Sequence, residues 1–143
     1  MTRGTIFAIY PGTRLISDEF NGDMGAFDNT GRDLLEMIAP EELKGMTKND
    51  FKQRMNNFNK DNFQYANFDV GESQISYDKT SFIMDTNICF SDWGYVVNMM
   101  PTPLKVVDAN KKVMILEYRS IGVFKWNKRV LKIYANVEES KKT

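Results

Sequence analysis

A chain of 143 residues with 19 basic and 19 acidic side chains, 42% hydrophobic and 13% aromatic, has the composition of one folded domain that buries a core without staples. Its neutrality removes any whole-molecule field toward nucleic acid or membrane. The absence of histidine and the single cysteine, Cys89, exclude Ser-His-Asp and Cys-His catalysis, His-based metal sites and an internal disulfide.

In chain order, Thr5 to Tyr10 and Thr13 to Phe20 flank Pro11-Gly12. Proline presets φ and glycine accepts a positive φ, so two strands joined by a tight turn are predicted. "NGDMGAFDNTG" reads as loop. Thr30 and Asp33 form a capping pattern that opens a helix carrying Leu34, Leu35, Met37 and Ile38, stopped near Pro40. Thr47 and Asp50 repeat that pattern before a second helix, whose Phe51, Met55 and Phe58 form one stripe and which runs to about Asn59.

From Phe63 the period becomes two, and "FQYANFDV", "SQISYD" and "SFIMD" read as strands. "TNICFSDWG" reads as loop, with Trp93 and Tyr95 as core aromatics at the start of the strand "YVVNMM". "LKVV" and "KVMILEY" form a hairpin around "DANK". The last hairpin is "GVFKWNKRVLKIYANV". A two-residue turn at Asn127-Lys128 sets Trp126 opposite Arg129 and Phe124 opposite Leu131. Phe124, Trp126, Leu131, Ile133 and Ala135 then share one face, and Lys125, Val130, Lys132 and Tyr134 the other. The whole chain, 1–143, reads as a single α+β domain: a mostly antiparallel sheet with two helices packed on one face.

Charge is segregated along this order. Residues 1–100 hold nine Lys/Arg against fifteen Asp/Glu, and residues 101–143 hold ten against four. This asymmetry either attracts the two halves to each other or marks a basic binding face. In the second case Tyr118, Arg119, Lys125, Lys132 and Tyr134, with Arg3 and Arg14, are candidates to hold phosphate and stack a base. In the first, the hairpin has one core face and one solvated face whose lysines guard the edge. The amount of positive charge suits a small nucleotide, and no extended nucleic-acid groove is expected.

Other constellations are weaker. Asp18, Glu19, Asp23 and Asp28 do not have calcium-loop spacing. Glu41, Glu42 and Lys44 fall on helical sequence, unlike a nuclease strand. Thr2 would need a larger sandwich fold to act as an N-terminal nucleophile. No glycine-rich phosphate loop has the required strand–helix context. No catalytic residue, metal or cofactor is assigned. A lone cysteine fits a reducing compartment, and "TIFAIY" is too short for a signal peptide or a span, so a cytoplasmic protein without membrane contact is expected.

"TRGTI" at 2–6, the turn near "NG" at 21–22 and "LLE" at 34–36 resemble the opening of small uncharacterised proteins encoded by bacteriophages and prophages. That resemblance, over the first quarter of the chain, implies a viral accessory protein that binds and blocks a host factor, defence nucleases and nucleotide messengers among them. The leading expectation is a non-enzymatic protein that sequesters a small nucleotide immune signal. One alternative is a protein–protein inhibitor of a host defence or nucleic-acid enzyme, presenting the acidic segment 18–28. Another is a small carboxylate-based hydrolase or nuclease dependent on Asp18 or Asp23. Sheet edges and nine methionines also leave room for a homo-oligomer.

Overall fold

The computed structural model describes residues 3–17, 20–21, 27–62, 70–72, 81–83, 93–107, 113–125 and 129–134. Strand β1 (Arg3–Tyr10) turns at Pro11-Gly12 into β2 (Thr13–Ser17), with Gly12 at φ +87° as that turn demands. A short β3 (Phe20–Asn21) continues along the same flank of β1, but with the register advanced by one residue. The ladder break is repaired by a side chain, the buried Ser17 hydroxyl accepting the Ile6 amide at 2.8 Å.

Helix α1 (Phe27–Ile38) starts three residues before Thr30. Thr30 is therefore inside its first turn rather than its cap. A 3₁₀ turn (Glu41–Gly45) follows Pro40, then α2 (Lys48–Asn62). The expected cap of α2 is present, with the Asp50 amide donating to Thr47 Oγ1 at 3.1 Å. Its stripe of Phe51, Met55 and Phe58 is buried.

The rest of the described chain is strand: β4 (Val70–Glu72), β5 (Ser81–Ile83), β6 (Trp93–Asn98), β7 (Leu104–Val107), β8 (Val113–Leu116), β9 (Ser120–Lys125) and β10 (Arg129–Tyr134). The expected loop 86–94 is corrected at its end, where Trp93 and Gly94 already belong to β6; residues 86–92 and the remainder of the strands expected within 63–80 lie outside the described residues. The main sheet has the order β10-β9-β6-β1-β2-β4, with β3 also on β1. Only β1 and β6 run parallel within it, so the α+β architecture is mostly antiparallel.

A second sheet, β5-β7-β8, was not foreseen. Ile6, Ala8, Tyr95, Val97, Ile121 and Val123 join the helix-side core, while Phe7, Ile9 and Val96 join Leu104, Val106, Met114 and Leu116 in a second core. The main sheet is thus dry on both faces. At Gly122 the two sheets meet so closely that an added Cβ would stand 3.1 Å from Leu116 Cδ2 and against Met114 Sδ. No described helix is long and apolar enough to cross a membrane.

Candidate functional site

The sheet has two polar ends, and the candidate residues divide between them. The first end gathers the last residues of β1 and β6. Buried Asn98 donates from Nδ2 to the carbonyls of Leu116 at 2.8 Å and Glu117 at 3.2 Å, and its Oδ1 accepts the Met100 amide at 2.9 Å. Its backbone carbonyl accepts the Arg119 amide at 2.8 Å. One amide side chain therefore joins β6 to the β8–β9 turn, which Tyr118 and Arg119 occupy.

Arg119 has φ +60°, a backbone state that non-glycine residues seldom adopt. Its Nε donates to the Ile38 carbonyl at 3.0 Å, and Nη1 to Glu41 Oε1 at 2.9 Å. Placing a cation on the last carbonyls of α1 satisfies an orphan acceptor and opposes the helix dipole. The Arg119 hydrogen bond, followed by Lys44, holds the Glu41 carboxyl below its ordinary range. The guanidinium carbon also lies 6.0 Å from the Tyr118 ring centre.

The same end holds the 3₁₀ turn in place. Arg54 pairs with Glu42 at 2.8 Å. Tyr10, stacked on Phe51 at 4.4 Å, directs its hydroxyl to the carbonyls of Leu43 at 2.8 Å and Met46. Burial, then the nearby Tyr118, raises the Tyr10 phenol above its ordinary value. Arg14 sits on β2 in a row with Ile9, Asn98 and Ser120. Three strand spacings, roughly 14 Å, separate it from the start of β9.

At the opposite end, register aligns Gly4, Trp93, Lys125 and Arg129 across β1, β6, β9 and β10. Here the expected hairpin needs correcting. Arg129 pairs with Lys125 and Val130 with Phe124, so three residues, 126–128, intervene; their own conformation lies outside the described residues. A register shift between Val130 and Lys132 then restores the expected alignment, with Lys132 on Val123, Ile133 on Gly122 and Tyr134 on Ile121. The physical reason is the weakness of Asn-Lys as a two-residue turn: a longer connection adds one residue, and the shift absorbs it at Leu131.

This shift changes which residues share a face. Directly opposed residues of neighbouring strands stand on the same face. Lys125, Arg129, Lys132 and Tyr134 therefore occupy positions on one face, in three successive rows, while Val130 falls with Phe124. That face also carries Val123 and Ile121, both buried in the helix-side core, so it is not the solvated strip expected. Arg129 and Lys132 are three apart in sequence and share a face because Leu131 is the extra residue between them. Arg3 stands one residue out of phase with the first row. Of the seven expected residues, the fold thus groups the positions of Lys125, Lys132 and Tyr134, puts Arg3 on the opposite face two strands from β9, and leaves Arg14, Tyr118 and Arg119 at the far end.

Sequence reasoning passed over one member of this group: Arg129, expected opposite Trp126, pairs with Lys125 instead. The cue lay in the poor turn pair at Asn127-Lys128. Trp93 opens β6 in phase with buried Tyr95 and Val97. Cys89, Asp18, Glu19 and Asp23 lie outside the described residues.

No family model matches this chain, and no curated protein or solved structure is similar to it.

Proposed function

We propose that this protein is a non-enzymatic binder that sequesters a small nucleotide signal of its host, at the end of the sheet where Lys125 and Arg129 stand opposite each other. One observation carries the reading: Lys125 and Arg129 are directly opposed across β9 and β10. Like charges in that position oppose strand pairing. Local conflicts of this kind concentrate at functional sites, where a ligand of opposite charge resolves them. Phosphate is the chemistry that such a pair of cations recognises, and a small nucleotide carries it. The missing histidine favours capture over turnover, and the phage-like opening supports action in the cytoplasm of an infected cell. Calorimetry against linear and cyclic nucleotides tests this. Heat is expected in the micromolar range, and silence from the whole panel at high micromolar concentration would end the proposal.

A second reading has its own observation. Val113 and Ile115, on edge strand β8, are 50% and 46% exposed, the large apolar side chains most open to solvent among the described residues. Such a stripe favours a protein partner, as an inhibitor would have. Capture of one host protein from nuclease-treated lysate, lost on Val113→Ser with Ile115→Ser, would support it over the nucleotide reading.

A further inference from the structure

We draw no further inference here: the strongest candidate, the exposed apolar stripe of Val113 and Ile115 on edge strand β8, carries nothing beyond the second reading above, because nothing in the structure shows what covers it.

Discussion

The two ends of the main sheet use the same residue types for opposite purposes. At the Asn98 end, polar groups are consumed by the fold: Asn98 serves the carbonyls of Thr102, Leu116 and Glu117 and the Met100 amide, and Arg119 serves the end of α1 and Glu41. At the Trp93 end, Lys125 faces Arg129 across a strand pair, an arrangement that opposes folding. Cations alone therefore do not mark a binding site. What separates the ends is whether each charge has a folding task.

The comparison predicts its largest effect at Asn98. Asn98→Ala removes a fully buried side chain and leaves the Leu116 and Glu117 carbonyls and the Met100 amide without their partner. Each orphaned group costs about 1–3 kcal/mol, so a total loss of about 3 kcal/mol is expected in urea unfolding. Nucleotide heat per folded molecule should not change. A loss under about 1 kcal/mol would show that this end is not the fold's polar anchor.

The inter-sheet contact should come next. Gly122→Ala places a methyl group against Met114 and Leu116, which must shift. Overpacking of this sort costs about 1–3 kcal/mol, and a neutral outcome would mean that the second sheet sits more loosely than its contacts imply.

Legibility followed the range of the interactions. The Pro11-Gly12 turn, the Thr47 cap and the Phe51-Met55-Phe58 stripe depend on neighbours within a few residues, and each was readable. The second sheet depends on pairings such as Ser81 with Lys105, and on the burial of both faces of the main sheet. A signal for it was present: "TIFAIY" and "YVV" do not alternate, as strands covered on both faces do not. Reading them as half-exposed strands hid the second layer. At the site, the sequence located the charged segment but not its register, because one extra residue at Leu131 decides whether Arg129 or Val130 joins Lys125. Nor does sequence distinguish Arg119, which caps a helix 81 positions away, from a free cation.

Charge reversal separates folding from binding at the Trp93 end. Lys125→Glu turns an unfavourable cross-strand pair with Arg129 into a favourable one, and should raise stability by about 0.5–1 kcal/mol. The same change should weaken nucleotide binding ten-fold or more. Stability and affinity falling together would show that Lys125 has a folding task after all, and the contrast between the ends would fail.

Arg119 provides the finest test, because its backbone and side chain act in opposite directions. Arg119→Ala keeps the φ of +60° and loses the contacts to Ile38 and Glu41, for a cost of about 1 kcal/mol. Arg119→Gly loses the same contacts but relieves the left-handed backbone, so it should be about 1 kcal/mol more stable than Arg119→Ala. The pH dependence carries a definite sign. Glu41 is lowered in the folded protein from its ordinary value of 4.5, first by the Arg119 hydrogen bond and then by Lys44. The stability it contributes is therefore complete above pH 4.5 and is lost as pH falls through the depressed value. Wild type and Arg119→Ala should accordingly converge on acidification through that window. The gap that persists at low pH is the share owed to the Ile38 carbonyl, which does not titrate. A gap that stays constant with pH would assign the whole effect to that carbonyl and leave the Glu41 pair without weight.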